Sequence, residues 1–118
     1  MKIQDQMQRM LDKTPDCNLV AFGDLSSGLV LNWCAKTPTP RETLDLLGET
    51  SAACFALLGP QATFAATVIH FTERESHVFA RHAANPDDVI CAVLAPGTAL
   101  EPLLRATQAL ADRIAEAP

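Results

Sequence analysis

The chain has 118 residues, 48% of them apolar and 19% charged, with a net charge of -5. That size holds one core and one domain, spanning residues 1–118. The apolar fraction excludes disorder, and the acidic balance excludes a broad nucleic-acid or anionic-lipid surface.

The first 13 residues are polar and charged, not a basic start followed by an apolar run. They do not read as a secretory leader, and no run of about 20 apolar residues reads as a membrane span. A cytoplasmic protein is expected. Cys17, Cys34, Cys54 and Cys91 form no CxxC or CxH pair, so no zinc site and no metal are expected, and the thiols read as reduced. Abundant alanine and the absence of tyrosine point to a bacterial, GC-rich genome.

Residues 2–13 predict an amphipathic helix, with Ile3, Met7, Met10 and Leu11 on one face. Thr14-Pro15-Asp16 ends it, because a residue before proline is pushed out of the helical region. Residues 17–25 and 29–35 predict two strands around the turn Ser26-Ser27-Gly28. Alternation puts Leu19, Ala21 and Leu25 opposite Val20 and Phe22. In the second strand it puts Leu29, Leu31 and Trp33 opposite Val30 and Cys34. A sheet apolar on both faces must be covered on both.

Thr39-Pro40-Arg41-Glu42 predicts a helix start, with Thr39 as N-cap and Glu42 closing a capping box. The helix is expected to run to Leu58 and stop at Gly59-Pro60. Strands are predicted at 62–71, 76–82 and 88–95, with polar turns at 72–75 and 84–87. A last helix opens at Gly97-Thr98, with a second capping box from Thr98 to Glu101. Its buried stripe is Leu100, Leu103, Leu104, Thr107, Ala111 and Ile114, and Glu101 can pair with Arg105. The expected fold is α+β in three layers. A five-stranded antiparallel sheet carries the central helix on one face and both terminal helices on the other.

Residues 50–72 contain no Asp, Glu, Lys or Arg. On a helical wheel the central helix carries two apolar stripes. Leu44, Leu47, Ser51, Phe55 and Leu58 make one. Leu46, Thr50, Ala53 and Leu57 make another, roughly 130° away. One sheet face needs a stripe of about 100° or somewhat more. The strand after the helix is equally uncharged and opens a meander, where an exposed edge is normally guarded by charge or proline. A wide apolar helix beside an unguarded edge points to self-association across a two-fold axis. The alternative is an interior strand beside a well-buried helix.

The element order, the hairpin Val20-Ala21-Phe22-Gly23-Asp24-Leu25-Ser26-Ser27-Gly28-Leu29-Val30-Leu31 and the strand Val89-Ile90-Cys91-Ala92-Val93-Leu94 before a last helix resemble the Roadblock / dynein-light-chain family. The resemblance covers nearly the whole chain and implies a Roadblock / profilin-like fold. It also implies a homodimer through the central helix and third strand, with the two sheets joined. The interface expected on that basis comprises Leu47, Ser51, Cys54, Phe55, Leu58, Phe64, Ala66, Val68 and His70. Members scaffold or regulate small Ras-like GTPases, and that partner is expected here, with no cofactor.

Catalysis is not expected. Asp24, Ser26 and Ser27 are turn residues with no G-x-S-x-G elbow. Cys34 and Cys54 have no basic neighbour in the sequence to lower their pKa. There is no P-loop motif, so the chain is not itself that kind of GTPase. His70 and His77 flank a turn and fall close together, while His82 alternates to the face opposite His77. Were His70 at a two-fold interface, acid would loosen the dimer. The rival reading is a PAS- or GAF-like small-ligand sensor, which requires a sizeable pocket under the central helix.

Overall fold

A computed structural model describes residues 2–58 and 66–116, with only the backbone at Ala66. The elements follow the expected order: α1 Ile3–Lys13, β1 Cys17–Asp24, β2 Leu29–Ala35, α2 Arg41–Ala56, β3 Ala66–Phe71, β4 Ser76–His82, β5 Asn85–Leu94 and α3 Glu101–Glu116. The strands form one antiparallel sheet in the order β2-β1-β5-β4-β3. The predicted strand residues 62–65 and the predicted helix stop at Gly59-Pro60 lie outside the described residues.

Period-2 alternation splits the core into two layers. On one face, Val20, Phe22, Val78, Ala80, Ile90, Ala92 and Leu94 meet Met7, Met10 and Leu11 of α1 and Leu103, Leu110 and Ala111 of α3. On the other, Leu19, Ala21, Val30, Phe79, Val89, Cys91 and Val93 meet Leu44, Leu47 and Phe55 of α2. The central strands β1 and β4 are buried almost throughout, as is β5 from Val89 to Leu94, while β2 is largely exposed. The α1 and α3 stripes match expectation, except that Leu110 of α3 is fully buried and was not in the expected set.

Two bulges alter the expected alternation. Cys17 pairs with Leu94 and Leu19 with Val93, so Asn18 is an extra residue and Cys17 turns to the face opposite Leu19. In β2, Gly23 pairs with Val30 but Phe22 with Asn32, leaving Leu31 extra. Val30 therefore packs under α2 and Cys34 under α1, correcting the prediction that they share a face.

Neither capping box forms. Pro40 itself is the N-cap of α2, with extended backbone at φ -62° and ψ 146° and no side-chain cap. The Thr39 hydroxyl bonds to the Thr37 carbonyl instead, at 3.2 Å. Arg41 ties the first turn to the sheet by donating to the Val30 carbonyl at 3.1 Å. Likewise α3 begins at Glu101 rather than near Gly97, and Thr98 donates to the Ala95 carbonyl at 2.6 Å. Glu101 and Arg105 do pair. The β4–β5 hairpin is also tighter than predicted: His82 pairs with Asn85, so β5 begins at Asn85.

One contact sets the seat of α2. A Cβ on Gly48 would lie 2.3 Å from the carbonyl oxygen of Gly28, so helix backbone rests directly on the β1–β2 turn. Gly28 itself takes φ +71°, which L side chains rarely adopt.

Candidate interaction surface

The two apolar stripes of α2 have different fates. Leu44, Leu47, Ser51 and Phe55 are buried on the helix's own sheet. The other stripe stays outside: Leu46 is 64% exposed and Leu57 87%, Ala53 is exposed and Thr50 half-buried. Leu58, at 41%, extends this patch past the helix end. An exposed run of three leucines and an alanine is the kind of apolar patch that marks an association site.

Strand β3 borders the same region. It pairs with β4 through the register Ala66↔Arg81 to Phe71↔Ser76 and stands at the sheet edge. Among the described residues its other edge has no strand partner. Val68 is partly buried, packing into the layer under α2, and His70 is half-buried. Phe71 is 64% exposed.

The residues expected at an interface therefore occupy distinct places. Leu47, Ser51 and Phe55 lie beneath the helix, spent on the subunit's own core. Cys54 is half-buried at the margin of that core, and Leu58 is exposed. Ala66, Val68 and His70 stand on the edge strand, and Phe64 lies outside the described residues. The exposed stripe of Leu46, Ala53 and Leu57 was visible on the wheel but missing from the expected interface set. Periodicity shows two stripes and cannot say which one the sheet takes.

The other sheet edge carries a second patch that sequence reasoning missed. Leu29, Leu31 and Trp33 of β2 are exposed, and the Arg41 guanidinium lies 5.9 Å from the centre of the Trp33 ring.

Between the first half of α2 and the ends of β3 and β4 runs a groove of about 700 Å³. Leu46, Leu47 and Thr50 line one wall, and His70, His77 and Glu75 the other. His70 and His77 are register partners, their Nδ1 atoms 3.2 Å apart. His77 Nε2 lies 3.0 Å from Glu75 Oε1. A carboxylate only accepts, so His77 Nε2–H donates to it and, with both rings neutral, His77 Nδ1 accepts from His70 Nδ1–H.

The thiols are poor nucleophiles. Burial raises the pKa of Cys17, Cys34 and Cys54, and it pushes Cys91 up to about 12. Among the described residues no group of three or more His, Cys, Asp or Glu is placed to hold a metal ion. No described helix is long and apolar enough to cross a membrane.

A three-layer α+β domain with sheet order β2-β1-β5-β4-β3 can be compared with solved structures. A Roadblock/LC7 domain from Streptomyces avermitilis superposes with a TM-score of 0.73 at 10% identity, covering 97% of this chain and 95% of that one. The fold is that of the Roadblock/LC7 domains. A gliding protein MglB from Thermus thermophilus matches this chain at 25% identity and a TM-score of 0.65, covering 97% of this chain and 88% of that one. An MglB with a tetrameric arrangement matches at 27% identity and a TM-score of 0.67, with the same coverages. No protein-family model matches the chain, and no curated protein does.

Proposed function

We propose that this Roadblock/LC7 chain is a non-catalytic, cytoplasmic homodimer that scaffolds or regulates a small Ras-like GTPase in a bacterium. The observation that carries the reading is the uncharged outer stripe of α2 beside the open edge of β3. Magnitudes support both parts of that surface being used. Fully burying a leucine stabilises by about 1.5–3 kcal/mol. Scaled by their exposed fractions, Leu46, Leu57 and Leu58 from the two subunits together contribute about 6–12 kcal/mol. Association itself costs about 4–15 kcal/mol, so the helices alone leave little surplus, and pairing of the two β3 edges supplies more. Leu47, Ser51 and Phe55 stiffen the helix from beneath, while Cys54, Val68 and His70 sit at the margin of the seam.

The GTPase part of the reading rests on the family resemblance and on the likeness to gliding proteins. Light scattering at micromolar concentration tests the dimer, and a mass near 12.7 kDa counts against it. Affinity capture from the native cell tests the partner: a Ras-like GTPase is expected on the wild-type chain, and its absence with both GDP and a GTP analogue present removes that part.

The groove favours a second reading, a small-ligand sensor, since its volume lies within the range of ligand pockets. It is an open cleft, however, and its fold partners are Roadblock/LC7 domains.

A further inference from the structure

We propose that His70 and His77 form a binding site for a divalent transition-metal ion, with water completing the coordination shell. The site goes beyond the scaffold reading and does not depend on it. The two histidines are directly opposed in the β3–β4 register, so the backbone ladder, not a flexible loop, sets their separation. Their Nδ1 atoms lie 3.2 Å apart. Two nitrogens bound at about 2.0–2.1 Å to a tetrahedral zinc ion stand about 3.3–3.4 Å apart, so the pair is already spaced as neighbouring ligands.

Glu75 supplies the second element. Its carboxylate holds the far nitrogen of His77 at 3.0 Å. Metal-binding histidines almost always donate their other N–H to such a group, which orients the ring and raises its basicity. The tight Thr72–Glu75 turn, with Thr72 Oγ1 accepting from the backbone N–H of Glu75 at 3.1 Å, brings the carboxylate beside His77. The third element is room. His77 is 8% exposed, yet both rings line the groove of about 700 Å³, which admits the waters that two protein ligands leave to be supplied.

The proton balance closes. With both rings neutral and His77 Nε2–H donating to Glu75, the metal-free pair has one proton, on His70 Nδ1, between the two Nδ1 atoms. On binding, both Nδ1 lone pairs go to the ion and that proton moves to His70 Nε2. Both rings stay neutral and no proton need leave. Imidazole donors suit zinc, copper and nickel.

The test uses the untagged full chain, titrated with Zn²⁺ alone by calorimetry at pH 7.5. The expected result is saturable uptake of one ion per chain, lost in His70→Gln and in His77→Gln. Affinity should fall about 10–100-fold in Glu75→Gln. His82→Gln should bind as the parent does, because His82 does not line the groove that His70 and His77 share. Circular dichroism checks that each variant is folded. Should a histidine variant fail to fold, broadening of the His70 and His77 ring protons by Cu²⁺ in the parent chain, with His82 unaffected, replaces it. Absence of saturable uptake overturns the proposal. So does uptake that survives either histidine substitution, is as tight in Glu75→Gln, or broadens His82 alone.

Discussion

Cys91 shows how burial alone sets the chemistry of a residue. It lies in the middle of β5 with no exposed surface, and burial holds its thiol protonated up to about pH 12. The unfolded chain releases that proton in the ordinary thiol range, near 8.5. The folded pKa is raised, so the stability it contributes is complete below the unfolded value. It is lost as pH rises from there toward the folded value. Denaturant unfolding should therefore give a stability to whose pH dependence this thiol adds nothing below about pH 8.5. Above that it should fall by about 1.4 kcal/mol per pH unit, and Cys91→Ala should fall less steeply. An equal slope in both proteins would show that the thiol is not the origin. Cys17, raised by burial too, adds to the same limb. That cysteines sat in apolar strands was legible from their neighbours. The bulge that sends Cys17 to one layer and Leu19 to the other was not, because a single extra residue leaves no mark on composition.

Among the elements, α2 packs most closely on its neighbours at Gly48. Its glycine at 48 costs helix propensity, so alanine there gains up to about 1 kcal/mol on that ground alone. Packing decides otherwise: the new Cβ would meet a backbone carbonyl at 2.3 Å, and overpacking of this kind costs about 1–3 kcal/mol. Gly48→Ala is expected to lower the thermal midpoint, and a rise would mean the helix can lift off the β1–β2 turn freely. Gly28→Ala tests the other half of the contact. There the Cβ meets nothing closer than 4.0 Å, so a loss of about 1–2 kcal/mol would come from the left-handed backbone alone. The capping boxes show the opposite limit. Thr39 and Thr98 have the right spacing to Glu42 and Glu101, but local hydrogen bonds to Thr37 and Ala95 take their hydroxyls. Threonine offers the backbone both options, and the chain geometry around each proline chooses.

For the whole molecule, the question is what covers the outer stripe of α2. Leu46→Glu changes a side chain that makes no core contact, so a single subunit should lose no more than about 0.5 kcal/mol. The same change places charge in the middle of the proposed seam. Light scattering is expected to show half the parent mass, with the circular dichroism spectrum unchanged. Val68→Lys is a poorer probe, because Val68 packs into the subunit's own core. The seam is uncharged, so its association constant should barely change between about 0.05 and 0.5 M salt, where an ion-paired interface would weaken. A steep loss of mass with salt would place the contact elsewhere, beside Arg41 and Asp45 on the opposite flank of α2.

The element order, the sheet with helices on both faces and the uncharged stretch were all determined by the sequence itself. They follow from periodicity and from proline and glycine punctuation, which act over a few residues. The tertiary structure decided which stripe of α2 is buried and where the strands bulge. Each of those depends on elements far apart in the chain competing for the same space or the same hydrogen bond. No local pattern records the outcome of that competition.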